Sequence, residues 1–96
     1  MPKKDRGPRH KLSDERWFVY MLRCADGTLY TGIAKDVSCR CQQHNAGTAS
    51  RYTRSRLPAH LVYQETVASR SLASKREAAI KRLSRREKMA MIRMAG

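Results

Sequence analysis

The feature that most constrains the fold is an apolar run followed, after a tight turn, by a second strand-like run. Residues 17–22 are continuously apolar and rich in aromatic and β-branched side chains, which predicts a strand buried on both faces. Residues 28–34 form the second run, and Ala25, Asp26 and Gly27 lie between the two. A three-residue hairpin loop commonly ends in the left-handed region, where glycine costs least. The sequence therefore predicts a β-hairpin in which Gly27 is the structural glycine of the turn.

The loop length sets the register of this hairpin. A three-residue loop pairs Cys24 with Thr28, and the same register places Tyr20 opposite Gly32. Because side chains alternate along each strand, Tyr20 and Tyr30 then emerge on one face of the sheet. A two-residue loop would put the two tyrosines on opposite faces, and the glycine at the third loop position favours the first register. Gly32 itself could mark a bulge.

Capping residues delimit the helix that follows the hairpin. Asp36 is a suitable N-cap and Gly47 a suitable stop for a helix over residues 37–46. Positions three, four and seven residues apart share one side of a helix. Arg40 and His44, one turn apart, therefore reach the same patch. That side of the helix carries Val37, Arg40, Cys41 and His44.

The rest of the chain adds one strand and two helices. Residues 47–58 are polar and are predicted to form a loop, whereas residues 60–65 alternate enough to form a third strand. A further helix is predicted to begin at Ser71, and a capping box of Ser84 and Glu87 begins the last helix. The side chains predicted to face the core are Leu72, Arg76, Ala79, Ile80 and Leu83 on the first of these helices, and Met91 and Ile92 on the last.

The length and the apolar pattern restrict the class of protein. Ninety-six residues provide for one domain, which we place at residues 16–96 after a flexible basic arm at residues 1–15. No run of about 18 apolar residues is present to span a membrane, and the N-terminal segment lacks the apolar core of a secretory signal. Three cysteines without a C-x-x-C pair argue against a disulfide framework or a zinc site. We therefore expect reduced thiols, packed in or near the core, and a cytoplasmic location.

The charge indicates the partner. Twenty-one Lys and Arg against eight Asp and Glu give a net charge of +13, whereas solubility in a small domain needs a magnitude of only about 2–8. A surface this cationic attracts polyanions, because each neutralised phosphate releases condensed counterions. A solvated helical face is the alternative explanation. The side chains predicted to bind nucleic acid are Arg51, Arg54, Arg56, Lys75, Lys81, Arg82, Arg85 and Arg86.

Five side chains could carry out chemistry on such a partner, although each also has a structural explanation. Tyr20 and Tyr30 share a hairpin face, Arg40 and His44 share a helix side, and Glu77 is an isolated carboxylate in a basic segment. Each tyrosine could simply pack in the core. The histidine could favour the helix dipole, and the glutamate could pair with a lysine one turn on.

Taken together, these residues resemble the GIY-YIG nuclease family. Tyr20 is followed by Tyr30-Thr31-Gly32, then by Arg40, His44-Asn45 and Glu77, in the order of the family's motifs. The resemblance covers about residues 17–92. It is closest to the stand-alone bacterial branch, the YhbQ-like or UPF0213 group, in the segments 19–37, 40–47, 51–56 and 78–88.

The chain also departs from the family's pattern. Phe18-Val19-Tyr20 stands where the name expects Gly-Ile-Tyr, and Thr31 stands where it expects Ile. Both tyrosines and the second glycine are nevertheless present. Cys41 stands where this branch usually carries Leu, which affects packing rather than chemistry.

The resemblance implies a mixed α/β fold of the α+β type, with a three-stranded antiparallel sheet flanked by helices. It also implies phosphodiester hydrolysis with one divalent ion, Mg²⁺ or Mn²⁺, held by Glu77, while Arg40 binds the scissile phosphate. Tyr20, Tyr30 and His44 would position or activate the nucleophile, and we expect all five side chains to line one concavity. A guanidinium suits a phosphate and a Mg²⁺-class ion suits the leaving oxygen.

Two points stay open at this level. A free tyrosine has a pKa near 10, so it needs help to act as a base, and the sequence does not decide which tyrosine does so.

The function is either a metal-dependent endonuclease, with DNA favoured over RNA, or a nucleic-acid-binding module with an idle site. A third alternative is a basic scaffold bound to a protein or ribonucleoprotein. A protein partner could also supply specificity to a domain of this size.

Overall fold

The predicted hairpin is present in the computed structural model, which describes residues 16–95. Strand β1 spans Trp17–Arg23 and strand β2 spans Leu29–Ala34. The arm predicted at residues 1–15 lies outside the described residues.

The hairpin has the predicted register. Tyr20 is paired with Gly32, and the Cys24 amide donates to the Thr28 carbonyl over 2.9 Å. Gly27 has φ 86°, the left-handed conformation that the turn requires. The pairing is continuous at Gly32, so this glycine does not mark a bulge.

Strand β1 lies at the centre of the sheet. Strand β3, His60–Val67, pairs antiparallel with β1, and the strand order is β2-β1-β3. Residues 19–22 are all buried, because the two faces of β1 are both covered. The three-stranded antiparallel sheet and the burial of β1 are therefore confirmed, and β2 is an edge strand.

One face of the sheet is covered by helix α1, Val37–Asn45. Asp36 accepts a hydrogen bond from the Cys39 amide over 2.9 Å as the predicted N-cap, and Gly47 follows the helix at φ 81°. The core on this face includes Tyr20, Leu22 and Val37.

The segment predicted to be a loop contains a short helix, α2, at Arg51–Arg54. Ser50 caps it, because its hydroxyl accepts from the Tyr52 amide at 3.1 Å and the Thr53 amide at 3.5 Å. A polar, arginine-rich segment of this length gives no apolar periodicity. The helix brings Thr53 into the interior, where it is 0% exposed.

The opposite face of the sheet is covered by helices α3 and α4. Helix α3 spans Arg70–Lys81 and is capped by Ser69 rather than by Ser71. Its buried stripe also differs from the prediction, because Ala73 and Ile80 are 0% exposed. Leu72, Arg76 and Ala79 are exposed and Leu83 is half-buried, so of the predicted core positions only Ile80 is buried.

Helix α4 spans Arg85–Ala95 and begins at the predicted capping box. The Ser84 hydroxyl accepts from the Glu87 amide over 3.1 Å, and the Glu87 carboxylate accepts from the Ser84 amide over 2.9 Å. Met91 and Ile92 pack against the core on this side. Within residues 16–95, no helix has the length and apolar character needed to cross a bilayer.

Candidate active site

Two tyrosine side chains pack against the backbone of Gly32. The ring centroids of Tyr20 and Tyr30 are 6.4 Å apart. A Cβ atom added to Gly32 would lie 2.6 Å from the Tyr20 hydroxyl oxygen and 3.0 Å from Tyr30 Cε2. Glycine is therefore required here for space rather than for its backbone angles.

Helix α1 brings His44 against both tyrosines. His44 Nε2 is 2.9 Å from the Tyr20 hydroxyl, and the imidazole packs edge-on to the Tyr30 ring with centroids 5.0 Å apart. On its other side, His44 Nδ1 lies 2.7 Å from Thr53 Oγ1. Tyr20, His44 and Thr53 thus form a buried hydrogen-bonded network that joins β1, α1 and α2.

Burial favours the neutral forms of Tyr20 and His44. Burial raises the pKa of the Tyr20 hydroxyl above its usual range, with a smaller contribution of the same sign from Tyr30 and an opposing one from the Arg40 charge. Burial also lowers the pKa of His44, and the Arg40 charge adds to that effect. At neutral pH a protonated Tyr20 hydroxyl therefore faces a neutral imidazole.

Arg40 and Glu77 lie on different helices, and the charge of each acts on the pKa of the Tyr20 hydroxyl. Arg40, on α1, is half-buried and lines a cleft of about 230 Å³ together with Trp17 and Lys35. Glu77 lies in α3 between the two buried residues of that helix, and its charge, like that of Arg40, acts on the pKa of Tyr20. Its carboxylate is 3.3 Å from Lys81 Nζ, one turn along the helix.

The surface beside β2 carries a second cleft of about 280 Å³. Its lining includes Tyr30, Tyr52, Lys81 and Lys88, so it collects side chains from β2 and from α2, α3 and α4. Tyr30 and Tyr52 stack with centroids 6.1 Å apart. Tyr30, which lines this cleft, is half-buried.

The expectation that all five predicted residues line one concavity is wrong, because Tyr30 and Arg40 line different clefts and because Tyr20 and His44 line neither. Each is only 1% exposed, so both lie beneath the surface. The apolar character of β1 and the helix side that faces it draw both side chains into the core on that face. Tyr30 reaches the β2 cleft, and Arg40 reaches the cleft on the α1 side.

The donor set suits a loosely held hard cation. Within residues 16–95, no three or more His, Cys, Asp or Glu side chains are grouped to hold a metal ion. Mg²⁺ usually keeps several waters and binds through one or two carboxylates and substrate phosphates. The Glu77 side chain, which is 23% exposed, fits that type of site. In the free protein its carboxylate forms an ion pair with Lys81.

The side chains predicted to bind nucleic acid divide into two groups. Arg56 donates to Asp26 and to the Tyr52 carbonyl and covers the Tyr52 ring at 3.9 Å, so it is part of the local structure. Arg85 donates to the Gly27 carbonyl over 2.8 Å and anchors the hairpin turn. The others are exposed on the surface: Arg51, Arg54, Lys75, Lys81, Arg82 and Arg86.

Three residues of this region were not predicted as part of the site. Tyr52 and Thr53 lie on the short helix α2, and Lys88 lies on α4. Ser50, a cap residue three positions before Thr53, was the one local signal for that helix. The packing of Thr53 on His44 depends on tertiary structure.

Comparisons with known proteins agree with one another. The family model for the GIY-YIG catalytic domain matches residues 16–90. A protein of Staphylococcus aureus named only as a UPF0213 protein is 50% identical over 76 residues, 79% of this chain and 93% of its own. The solution structure of a UPF0213 protein from Bacillus halodurans superposes with a TM-score of 0.55 at 38% identity, over 84% of this chain and 86% of that one. A solution structure from E. faecalis gives a TM-score of 0.58 at 34% identity, over 83% and 85% of the two chains.

Proposed function

The chain belongs to the GIY-YIG family, and we propose that it is a divalent-metal-dependent endonuclease that hydrolyses phosphodiester bonds in nucleic acid, in DNA rather than RNA. The observation that carries this proposal is the packing of Tyr20, Tyr30 and His44 around Gly32, within electrostatic reach of Arg40 and Glu77.

Tyr30 is the better placed of the two tyrosines to act as the base. The Tyr20 hydroxyl is buried and paired with His44, and its pKa is raised. Tyr30 lines the open cleft, where its hydroxyl can meet a water molecule beside a bound phosphate. We therefore assign proton abstraction to Tyr30 in its deprotonated form, with its own hydroxyl proton released to solvent through the cleft. The positive charges of Arg40 and of a bound Mg²⁺-class ion would favour this form, and Tyr20 and His44 would have a supporting role.

Arg40 and Glu77 supply the charges that the reaction requires. The Arg40 guanidinium can donate two hydrogen bonds to the scissile phosphate and stabilise the charge that develops there. Glu77 would hold a Mg²⁺-class ion, which would stabilise the leaving oxygen. Lys81 would then release Glu77 and be free to contact the substrate backbone.

The edge strand β2 gives a path for the substrate. The cleft with Tyr52, Lys81 and Lys88 borders its first residues, and the cleft with Lys35 and Arg40 borders its last. A nucleic-acid strand that follows β2 would pass Gly32 and meet cationic side chains at both ends. These contacts are to phosphates, which supports affinity without sequence reading.

The idle-site alternative has one observation in its favour. Lys81 already neutralises Glu77 at 3.3 Å, so a metal ion must compete with an internal cation. A chain that binds nucleic acid but leaves this pair intact would be a binding module. We further propose a cytoplasmic location, supported by three free thiols among the described residues. We also propose that a protein partner supplies specificity.

The direct test is incubation of the protein with a panel of labelled DNA and RNA substrates, covering duplex, single-stranded and branched forms. We expect cleavage with Mg²⁺ or Mn²⁺ and none in excess chelator. Binding without cleavage of any member of the panel would support the binding module.

A further inference from the structure

His44 is buried between two hydroxyl groups that can each donate or accept. Nε2 is 2.9 Å from the Tyr20 hydroxyl, and Nδ1 is 2.7 Å from Thr53 Oγ1. A neutral imidazole has one N–H and one bare nitrogen, so these contacts can be satisfied in two ways. All three side chains are at most 1% exposed, so each polar hydrogen needs a partner within the protein.

The Tyr20 hydrogen distinguishes the two arrangements. If Nε2 carried the hydrogen, Tyr20 would have to accept it, and its own O–H would have no acceptor among the described residues. If Nδ1 carries the hydrogen, Tyr20 donates to bare Nε2, and Nδ1–H donates to Thr53. The Thr53 hydroxyl can then donate to the Ser50 carbonyl, over a long 3.4 Å. Only this second arrangement gives every hydrogen an acceptor.

We propose that Thr53 is a positioning residue that accepts the Nδ1 hydrogen of His44 and so stabilises the Nδ1–H tautomer, in which Nε2 accepts the Tyr20 hydroxyl hydrogen. The short helix α2 makes Thr53 suited to this role, because the Ser50 cap holds the Thr53 backbone amide and the Ser50 carbonyl lies beside its hydroxyl. Thr53 thereby acts on the site through His44 and touches no substrate.

The consequence is a fixed arrangement beneath Tyr30. Tyr20 turns its hydrogen toward His44 and leaves its oxygen against Gly32, beside the Tyr30 ring. The imidazole keeps a single orientation, and Tyr30 packs against its edge. This role deepens the proposed function, because Tyr30 is our candidate base. The tautomer can nevertheless be measured in the free protein whether or not the protein cleaves anything.

The test is ¹⁵N NMR of the His44 ring at a pH where the ring is neutral. We expect a protonated Nδ1 and a bare Nε2 in the unmodified protein and in Thr53→Ser. Thr53→Val should shift the ring toward Nε2–H, because Nδ1 then loses its acceptor. Tyr20→Phe should weaken the preference for one tautomer, because Thr53 can accept from Nδ1–H or donate to a bare Nδ1. Ser55→Ala is the matched control, because the hydrogen bonds of its hydroxyl within residues 16–95 are to the Tyr52 carbonyl and the Arg56 side chain on the surface.

Two outcomes would overturn the proposal without touching the proposed function. One is a protonated Nε2 in the unmodified protein, which needs no variant and therefore does not depend on how Thr53→Val folds. The other is an unchanged tautomer in folded Thr53→Val, which would show that Thr53 has no part in holding it. If the protein cleaves nucleic acid, Thr53→Val should lower the cleavage rate about 10–100-fold, as loss of a supporting hydrogen bond typically does. Thr53→Ser, which keeps the hydroxyl, should cleave at the rate of the unmodified protein.

Discussion

Glycine is required at position 32 because the side chains of Tyr20 and Tyr30 pack against it. In Gly32→Ala the new methyl group would start 2.6 Å from the Tyr20 hydroxyl oxygen, so the ring must move and its bond to His44 must lengthen. We expect unfolding in urea to become easier by about 1–3 kcal/mol, the usual cost of overpacking a core.

The matched control for this change is Gly27→Asn. Gly27 needs the left-handed conformation, but no atom of the described residues lies within 4 Å of an added Cβ. Asparagine tolerates that conformation. We expect the control to lose much less stability. Equal losses in the two variants would show that space around Tyr20 is not what requires glycine at position 32.

The buried state of His44 predicts a dependence of stability on pH. Burial lowers the folded pKa of His44 below its unfolded value of about 6.5, so the unfolded chain takes up this proton first as pH falls. The stabilisation is therefore complete above about pH 6.5 and is lost as pH decreases toward the folded pKa. Urea unfolding between pH 7.5 and 5 should show this loss.

A matched pair of variants isolates His44 in that experiment. His44→Gln should remove part of the pH dependence, whereas His60→Gln, at an exposed position on β3, should leave it unchanged. A decrease of the same steepness in His44→Gln and the unmodified protein would contradict the assignment to His44.

At the scale of the elements, the basic residues of the C-terminal helices do not all act alike. Arg82, Arg85 and Arg86 are all exposed, but the Arg85 side chain donates a hydrogen bond to the Gly27 carbonyl of the hairpin turn. We therefore expect the double variant Arg82→Ala/Arg86→Ala to weaken binding to all sequences and to reduce the slope of log K against log salt by about 2.

The control for this double variant removes the same charge elsewhere. Arg23→Ala/Arg93→Ala changes two exposed arginines that we do not assign to the nucleic-acid surface. Fluorescence anisotropy at several salt concentrations gives both slopes. If the two double variants have the same slope, Arg82 and Arg86 contribute only to net charge and form no binding surface.

Local signals explain which elements were predictable from the sequence. The hairpin register and the capping box of Ser84 and Glu87 depend on residues within a few positions of each other, and the structure confirms both. The prediction of which α3 residues are buried was wrong. One of the two fully buried residues of this helix is Ala73, whose small side chain gives a weak periodic signal in the sequence. Leu72, the more hydrophobic neighbour, is 48% exposed.

The residues of the site also differ in whether a local sequence pattern predicts their positions. The sequence placed Tyr20 and Tyr30 on one face because strand alternation determines it, and Arg40 and His44 on one side of a helix because helical periodicity does. Thr53 could not be predicted, because its contact with His44 joins two helices through a polar segment without periodicity. Its function depends on tertiary packing alone.

At the scale of the whole molecule, the fold places Tyr30, the proposed base, on an edge strand of the sheet. Strand β2 is at the border of the sheet, with α1 on one face and α3 and α4 on the other. Side chains from both faces can therefore meet around β2, as the clefts at its two ends show. The net charge of +13 adds long-range attraction for a polyanion.

The central claim is that Glu77 and Arg40 support metal-dependent cleavage, while the remaining basic surface supports binding. Its most direct test compares cleavage and binding in the unmodified protein, Glu77→Gln and Arg40→Ala. Glu87→Gln is the matched control, because it removes the same charge and glutamine can keep the capping bond to Ser84.

Cleavage at saturating Mg²⁺ and binding in chelator should be measured on one substrate for all four proteins. Loss of one preorganised electrostatic contact typically costs about 10²–10³ in rate. We therefore expect Glu77→Gln and Arg40→Ala to fold, to bind within a few-fold of the unmodified protein and to cleave at least about 100-fold more slowly, while Glu87→Gln cleaves normally. Cleavage by Glu77→Gln at the rate of Glu87→Gln would contradict the account, because the carboxylate that we assign to the metal would then have no part in the reaction.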